Sequence, residues 1–520
     1  MNGAQALIRT LVDAGVNVCF ANPGTSEMHF VAALDQVPEM RGVLCLFEGV
    51  ATGAADGYAR ISGRPAATLL HLGPGLGNGF ANLHNARRAQ VPLINVVGDH
   101  ASHHKQYDAP LESDIEALAW ACSGWVRRSA GPKSVATDAA DAVAAASSGR
   151  GRIATLILPA DACWLEATGP VAPRPASPAP AVDAVRVAEL AARLRASQPA
   201  LMLLGGRSLR ERGLRAAARV AAATGARLLG ETFPARLERG AGLPPLDRLA
   251  YLAEHAQAQL AGLRLLVAID AAAPVSFFAY PGKASTLSPA DCRVELVGGD
   301  AEDPVAVLEA LAAALGAPTD VPVAPARVPP RPSGTLNAET LAQGIAALLP
   351  ANTIVVDEAN TSGVYLPAYT AGAPRHDWLA LTGGSIGIGL PLAVGAALAK
   401  PDARVLCLQA DGSAMYTPQA LWTMARERLD VTTVILANRS YAILNLELMR
   451  VGAGAGGAQA RDMLDLTRPT LDFVALAQGM GVTASRATNC EELCTQLERS
   501  FATRGPSLIE AVLPPLQMPG

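Results

Sequence analysis

Short apolar runs recur along this chain of 520 residues, and they do not alternate with polar residues. Clear examples are VNVCF (16–20) and PLINVVG (92–98) in the first third, RLLVAID (264–270) in the middle, and VTTVILAN (431–438) in the last third. Strands of this kind are buried on both faces, and amphipathic helical stretches lie between them. The pattern predicts an α/β fold in which helices cover both faces of parallel sheets.

Two segments rich in proline and alanine interrupt this pattern. They are TGPVAPRPASPAPAV, residues 168–182, and APTDVPVAPARVPPRPSG, residues 317–334. This composition is typical of semi-rigid, extended linkers. The sequence therefore predicts three doubly wound parallel-sheet domains: a first domain of residues 1–170, a central domain of residues 183–318 and a last domain of residues 335–520.

The charge and hydropathy of the chain exclude several classes of partner. The formal net charge is −4 and no long basic run is present, whereas binding to nucleic acid needs clustered lysine and arginine. No apolar run reaches the roughly 20 residues that a membrane helix requires, and the N-terminus lacks the basic and apolar regions of a secretory signal. We therefore expect a cytoplasmic protein that binds neither nucleic acid nor a membrane.

A candidate metal site follows two neighbouring strands of the last domain. The strand RVLCLQ is followed by ADGS (410–413), and the next strand ends at Asn438, with room for one helix at about 417–428 between them. Ligands of open α/β sheets bind at the carboxyl ends of strands. Carboxylate, amide and carbonyl oxygens suit a Mg²⁺ ion that also binds phosphate. A lone DGS could equally be a turn with Asp411 as helix N-cap, but the matching strand that ends at Asn438 favours the metal site.

These segments resemble those of the thiamine diphosphate enzymes in the superfamily of acetolactate synthase, benzoylformate decarboxylase and pyruvate decarboxylase. The resemblance runs nearly end to end. The cofactor motif of the family is GDG followed, one helix and one strand later, by NN, whereas this chain has ADG at 410–412 and AN at 437–438. Both metal-ligating positions are kept. The resemblance implies thiamine diphosphate and Mg²⁺, with Asp411, Asn438 and the carbonyl of Ser440 as metal ligands.

The resemblance also implies which residues bind the cofactor. They are Asn360 and Thr361 in DEANTS (357–362), Gly384 and Ile386 in LTGGSIGIGLP (381–391), and Gly412 and Ser413 after the strand. In the family, Gly384 would offer its carbonyl to the aminopyrimidine and Ile386 would bend the cofactor. The first domain would then be the pyrimidine-binding domain and the last the diphosphate-binding domain.

Glu48, in LFEGVATGAADGYAR (46–60), matches the glutamate of the family that bonds N1′ of the aminopyrimidine. The 4′-imino group of the cofactor takes the C2 proton, and a carboxyl group on N1′ stabilises that tautomer. A solvent-facing charge at a helix N-terminus is the alternative for Glu48. In the family this glutamate meets the metal site across two subunits, so the resemblance implies at least a homodimer, commonly assembled into a homotetramer.

Two residues of the first domain are candidates for contact with the substrate. FANPGTSE (20–27) resembles the opening turn of the family, which places Thr25 on the substrate side. His71 precedes the glycine-rich turn GPGLGN, where a histidine could relay protons. Benzoylformate decarboxylases carry a histidine in this turn, and acetolactate synthases usually carry serine. The alternative for His71 is a hydrogen bond to the loop backbone.

Other segments depart from both groups of relatives. DAPLE (108–112) stands where acetolactate synthases have DAFQE, so Pro110 and Leu111 replace residues that adjoin the substrate in that group. APVSFFAYPG (273–282) lacks the second catalytic histidine of benzoylformate decarboxylases. No flavin signature is present in the central domain, so FAD is not expected.

Three functions are compatible with these residues. The first is a thiamine diphosphate- and Mg²⁺-dependent lyase or carboligase that acts on a small 2-oxo acid. The second is acetolactate synthase proper, which joins two 2-oxo acids. The third is a catalytically silent scaffold, which the retention of Glu48, Asp411 and Asn438 disfavours. The 98–114 loop carries three histidines that face either the substrate pocket or solvent: His100, His103 and His104.

Overall fold

Three parallel sheets form the framework of the molecule, one in each third of the chain. The computed structural model describes residues 1–175, 181–300, 302–454 and 456–515, so part of the proline-rich segment 168–182 lies outside the described residues. The prediction of three parallel-sheet α/β domains is confirmed. Their boundary residues remain predictions.

The first domain is built on a six-stranded sheet. Its strands are β1 (Val18–Ala21), β2 (Arg41–Leu44), β3 (Ala66–Leu70), β4 (Leu93–Asp99), β5 (Trp125–Arg128) and β6 (Ile153–Pro159). Its helices are α1 (Gly3–Asp13), α2 (Met28–Leu34), α3 (Glu48–Ser62), α4 (Leu72–Ala89), α5 (Ile115–Cys122), α6 (Val135–Ser147) and α7 (Ala160–Trp164). The strand order is β2-β1-β3-β4-β6-β5, and all neighbouring strands are parallel.

Burial on both faces explains why the strands show no polar alternation. Leu69 and Leu70 are neighbours in β3, and each is fully buried, yet they belong to two different hydrophobic cores. Successive side chains of a strand point to opposite faces of the sheet, so both faces are covered.

The central domain has four strands in its own sheet. The strands of this part of the chain are β7 (Ala200–Leu204), β8 (Arg227–Gly230), β9 (Leu237–Arg239), β10 (Leu265–Ile269) and β11 (Arg293–Val297). The helices are α8 (Ala184–Ala196), α9 (Glu211–Thr224), α10 (Ala253–Leu260) and α11 (Pro304–Ala314). The order is β11-β10-β7-β8, all parallel. β9 is not part of this sheet.

The last domain has a seven-stranded sheet. Its own strands are β12 (Ile354–Glu358), β13 (His376–Ala380), β14 (Val405–Ala410), β15 (Val431–Ala437), β16 (Thr483–Ala487) and β17 (Ser507–Val512). Its helices are α12 (Ala338–Leu348), α13 (Leu366–Tyr369), α14 (Gly389–Ala399), α15 (Asp411–Ala414), α16 (Ala420–Arg426), α17 (Ala442–Arg450), α18 (Ala458–Asp462), α19 (Phe473–Gly479) and α20 (Cys490–Ala502). The order is β16-β17-β15-β14-β12-β13-β9, and only the β13–β9 pair is antiparallel.

Close packing of α3 on α14 joins the first and last domains of the chain. A Cβ atom on Gly57 would lie 2.2 Å from the carbonyl oxygen of Leu392, and one on Gly395 would lie 1.8 Å from that of Ala54. Both positions therefore require glycine, because the two backbones approach too closely for any side chain. Among the described residues, none of the helices combines the length and apolar character that crossing a membrane demands.

Candidate functional site

Asp411 and Asn438 lie at the carboxyl ends of two adjacent parallel strands, as the sequence predicted. β14 pairs with β15 up to Ala410 opposite Leu436, and both side chains follow directly and are buried. One carboxylate oxygen of Asp411 accepts a hydrogen bond from the Arg439 amide at 2.6 Å, and the other accepts one from the Gly412 amide at 2.8 Å.

The oxygens at this edge suit a divalent cation. Asp411 is only 3% exposed, burial raises the pKa of its carboxyl group, and it forms no ion pair within the described residues. The nearby charge of Arg439 opposes this rise only in part, so the ionised carboxylate is costly to bury, and a bound cation would reduce that cost. The Asn438 amide oxygen accepts one hydrogen bond, from the Ser440 amide at 3.0 Å, which leaves a second lone pair. A donor set made only of oxygens fits Mg²⁺.

The structure argues against the alternative for DGS, because Ala410, not Asp411, is the N-cap of α15. The helix expected at about 417–428 is the shorter α16. The Ser413 hydroxyl makes two local hydrogen bonds: its Oγ donates to the Ala410 carbonyl at 3.1 Å and accepts from the Gln409 amide group at 2.5 Å. A Cβ atom on Gly412 would lie 2.5 Å from the Tyr441 ring, so any other residue there would have to displace this ring.

A cavity of about 590 Å³ opens beside Asn438 and Ser440. Within the described residues its lining comes from the last domain alone: Asn438, Arg439, Ser440, Asn445, Ala458, Arg461, Asp462, Leu464, Asp465, Thr467, Arg468, Leu513 and Pro515. Among the residues that the structure describes, none from the first domain lines this cavity within one chain.

Asn360 and Thr361 lie at the same edge of the sheet. β12 pairs with β14, with Glu358 opposite Gln409, and the short 3₁₀ helix Asn360–Gly363 follows β12. Asn360 is exposed and has a φ of +50°, which is uncommon for a residue other than glycine. This strand end therefore presents polar side chains beside the candidate metal residues.

Glu358 is a functional candidate that the sequence reasoning missed. It is 1% exposed, and its two carboxylate oxygens accept hydrogen bonds from the Gly387 and Gly389 amides, each at 2.6 Å. The Gln409 amide group donates a third bond at 3.1 Å. Glu358 thus holds the glycine-rich loop that carries Gly384 and Ile386 against β12. The sequence does give one signal for Glu358, which is its position at the end of a buried strand, where ligands of α/β sheets bind.

The first domain holds the other side of this loop. Asn85 of α4 accepts a hydrogen bond from the Gly383 amide at 3.1 Å and donates to the Ser385 carbonyl at 2.7 Å. Gly384 has a φ of +75°, and a Cβ atom there would lie 2.6 Å from the Phe277 ring. The loop backbone is therefore fixed by α4, by Glu358 and by the central domain.

We expect Glu358 to make folding depend on pH. Burial raises its pKa from 4.5 to about 7. The folded chain therefore holds this proton more tightly than the unfolded chain, so the stabilisation is present below about pH 4.5 and is lost as pH rises through about 7. The free energy of unfolding of the cofactor-free protein is measured in urea at pH 5 and pH 8. Between these pH values it should fall by roughly 2–3 kcal/mol more in the wild type than in Glu358→Gln.

The matched control is Glu166→Gln, which changes an exposed glutamate. The stability difference between this control and the wild type should be the same at both pH values. If the stability difference between Glu358→Gln and the wild type is also the same at both pH values, the raised pKa of Glu358 is contradicted.

Glu48 is the first residue of α3 and is 5% exposed. One of its carboxylate oxygens accepts a hydrogen bond from the Asn78 amide group at 3.1 Å. Gly75 lies alongside, since a Cβ atom there would be 3.2 Å from the other oxygen. The solvent-facing alternative for Glu48 is therefore wrong within this chain.

His71 bonds a carboxylate, not the loop backbone. Its Nδ1 lies 2.8 Å from the buried carboxylate of Glu27 and 3.2 Å from the hydroxyl of Ser26. Glu27 also accepts a hydrogen bond from the Gly24 amide at 2.8 Å, which fixes it in place. A carboxylate on Nδ1 favours the tautomer that leaves Nε2 as an acceptor. Thr25 is exposed at the start of the 3₁₀ helix that contains Ser26 and Glu27.

Glu27 and Ser26 were missed by the sequence reasoning, although both lie in NPGTSE beside Thr25. In the 98–114 loop, the rings of His100 and His104 lie 5.4 Å apart. His103 and His104 are exposed, while the buried Asp99 at the start of the loop pairs with Arg128 and Lys105.

Comparison with known proteins identifies the family. The N-terminal TPP binding domain of thiamine pyrophosphate enzymes matches residues 1–118, and the C-terminal TPP binding domain matches residues 361–511. The chain belongs to the thiamine pyrophosphate enzyme family. Thiamine pyrophosphate is another name for thiamine diphosphate, so the predicted superfamily and enzyme class are confirmed.

Two curated relatives of this family span almost the whole chain. A Mycobacterium tuberculosis protein, IlvX, with a provisional name as an acetolactate synthase large subunit, is 61% identical over 99% of this chain and 100% of its own length. The benzoylformate decarboxylase of Pseudomonas aeruginosa is 31% identical over 95% of this chain and 96% of its own. This member of the family is thus related to both enzyme groups that the sequence resembled.

A solved structure of the family shows the same fold. The thiamine diphosphate-dependent 4-hydroxybenzoylformate decarboxylase of Rhodococcus jostii RHA1 superposes with a TM-score of 0.85 at 24% identity, and the match covers 99% of each chain.

Proposed function

We propose that this enzyme uses thiamine diphosphate and Mg²⁺ to break or form the bond beside the carbonyl of a 2-oxo acid. The observation that carries the proposal is the buried Asp411 carboxylate, which forms no ion pair among the described residues and lies at the strand end next to that of Asn438. The matches to two TPP binding domains support thiamine diphosphate as the cofactor.

In this proposal Asp411, Asn438 and the Ser440 carbonyl hold the metal ion. Asn360 and Thr361 approach the diphosphate, together with the backbone at Gly412 and the neighbouring Ser413. The Gly384 carbonyl and the Ile386 side chain receive the aminopyrimidine, on a loop that Glu358 and Asn85 hold. The bound cofactor supplies an electron sink for the bond beside the carbonyl.

Glu48 would bond N1′ of the aminopyrimidine and favour the tautomer that removes the C2 proton. Its carboxylate lies in the first domain, whereas the cavity beside Asn438 is lined by the last domain alone among the described residues. A second copy of the chain would bring the two together. We therefore propose a homodimer at minimum, and a homotetramer as the full assembly.

His71 would move protons to and from the substrate through Nε2, while Glu27 holds its other nitrogen. Thr25 would face the substrate from the exposed start of the same turn. The distance of 2.8 Å between His71 and Glu27 supports an oriented ring, as in other paired histidines that act as acids and bases.

Acetolactate synthesis is the second candidate, because the 61% identical relative carries that name. Pro110 and Leu111 favour the first candidate, since they replace the phenylalanine and glutamine of acetolactate synthases at positions that adjoin the substrate.

A screen of 2-oxo acids tests the proposal. Pyruvate, 2-oxobutyrate and benzoylformate are each incubated with the purified protein, thiamine diphosphate and Mg²⁺, and aldehydes and coupled products are both quantified. We expect an aldehyde or a coupled product from at least one acid. Acetolactate from pyruvate would favour the second candidate, and no consumption above that of a Glu48→Gln blank would contradict both.

A further inference from the structure

A second cavity, of about 530 Å³, lies between the central and last domains. Its wall combines residues 232–259 of the central domain with residues near the end of β12 and around 363–371 of the last domain. It contains none of the proposed metal ligands. It shares no lining residue with the cavity beside Asn438, but it adjoins the proposed cofactor site, because Glu358 and Asn360 also line it.

Two arginine side chains, Arg239 and Arg248, line this cavity. Arg239, at the end of β9, donates to the Pro367 carbonyl, and its guanidinium lies 5.1 Å from the centre of the Trp378 ring. The guanidinium of Arg248 has no hydrogen bond partner among the described residues. Neither arginine forms an ion pair with a carboxylate of those residues.

The environment makes both charges costly. Burial lowers the pKa of Arg239 to about 9, and the nearby charge of Arg248 lowers it further. Burial also lowers the pKa of Arg248, and in both arginines the nearby charge of Asp357 opposes this lowering only in part. A half-buried cation that forms no ion pair is stabilised when an anion binds beside it.

The carboxylates in the wall are engaged elsewhere. Asp357 accepts hydrogen bonds from the Trp378 ring nitrogen at 3.1 Å and from the Ala359 amide at 3.2 Å. Glu238 accepts from the Glu211 amide at 2.7 Å and pairs with Arg236 at 3.3 Å. Both oxygens of Glu358 hold the glycine-rich loop. The remaining carboxylate, Asp247, is exposed, where water and salt screen it.

Aromatic side chains form another part of the wall. The rings of Phe233 and Tyr251 lie 6.0 Å apart, and Phe277 packs within 5.9 Å of the first and 5.3 Å of the second. Only 4% of the residues in this chain are aromatic, so such a cluster is a distinctive surface. Rings of this kind bind the flat or apolar body of a ligand.

We propose that this cavity binds a small organic oxyanion. A phosphate or carboxylate group of the ligand pairs with Arg239 and Arg248, and its apolar body packs on Phe233 and Tyr251. Arginine suits this task because its planar group can donate two hydrogen bonds to one oxyanion.

Calorimetry with two probes tests the site. Phenyl phosphate and benzoate are titrated into the full-length protein saturated with thiamine diphosphate and Mg²⁺, and inorganic phosphate is titrated as the head group alone. We expect at least one aromatic probe to bind, and more tightly than inorganic phosphate. Arg248→Gln should weaken that binding at least about tenfold, since it removes a charge-assisted hydrogen bond.

The matched control is Arg64→Gln, which changes an exposed arginine of the first domain and should leave binding unchanged. Arg239→Gln is the second variant, and circular dichroism checks that both cavity variants fold. Tighter binding of phenyl phosphate assigns a phosphate ester, and tighter binding of benzoate assigns a carboxylate.

Two results would overturn the proposal: no binding of either aromatic probe, or binding that Arg248→Gln leaves unchanged. A probe that occupies the reaction centre gives the second result and counts against the site. Because the readout is binding and not turnover, a negative result would leave the proposed function standing.

Discussion

Turnover should fall by about 10²- to 10³-fold in Glu48→Gln, while the affinity for thiamine diphosphate stays within about threefold of the wild type. Glutamine fills the same space and can still accept the hydrogen bond from Asn78. It cannot carry or share the proton with which a carboxyl group stabilises the reactive tautomer. The measurements are kcat with the best 2-oxo acid of the screen and the calorimetric Kd of the cofactor.

Glu39→Gln is the control, because Glu39 is an exposed glutamate of the same domain. Its kcat should match that of the wild type. If Glu48→Gln also turns over at the wild-type rate, Glu48 does not activate the cofactor.

Asp411→Ala should abolish the Mg²⁺-dependent binding of thiamine diphosphate, with a loss of at least about 100-fold in affinity. Changes in the partners that merely orient metal ligands already cost 10- to 100-fold, so the loss of a ligand should cost no less. Calorimetry with and without Mg²⁺ measures the effect. Ordinary affinity in the variant would refute the metal assignment.

A stability readout separates metal loss from structural damage. The buried Asp411 carboxylate forms no ion pair among the described residues, and burial raises its pKa despite the nearby charge of Arg439. Its removal relieves the cost of burying that charge but leaves the Arg439 and Gly412 amides without their acceptor, so the melting temperature of the metal-free protein should change little, while the increase caused by Mg²⁺ and cofactor disappears. Asp402→Ala, at an exposed position before the same strand, should keep that increase. A large fall in the metal-free melting temperature of Asp411→Ala would indicate a structural role.

The parallel sheets could be predicted because their central strands are buried on both faces. Runs such as VTTVILAN leave no polar face, and the structure covers both sides of β15 and β3. β9 could not be predicted. It has three residues, Leu237–Arg239, and pairs with His376–Trp378 more than 100 positions away, so no local pattern marks it.

The candidate metal residues could be placed because strand ends are visible in the sequence. Chain order and strand length bring Asp411 and Asn438 to one edge, and the structure has them there. The sequence could not show that Glu358 hydrogen-bonds to the glycine-rich loop, or that Glu27 hydrogen-bonds to His71. Their roles depend on tertiary neighbours, the Gly387 and Gly389 amides and the His71 ring, which are 29 to 44 positions away.

The cavity with Arg239 and Arg248 was also beyond sequence reasoning. Arg239 belongs to the strand that crosses into the sheet of the last domain, and Trp378 contacts it from there. The two arginines look like ordinary surface charges in the sequence, and only the fold shows that they share one cavity.

The most direct test of the proposed chemistry is the exchange of the C2 proton of bound thiamine diphosphate in D₂O, because it needs no knowledge of the substrate. Samples quenched with acid at increasing times are read by proton NMR. We predict that exchange is much faster on the protein with Mg²⁺ than in free solution, and that Glu48→Gln removes at least about 100-fold of that increase. Exchange at the solution rate on the wild-type protein, with the cofactor shown to be bound, would contradict the proposed function.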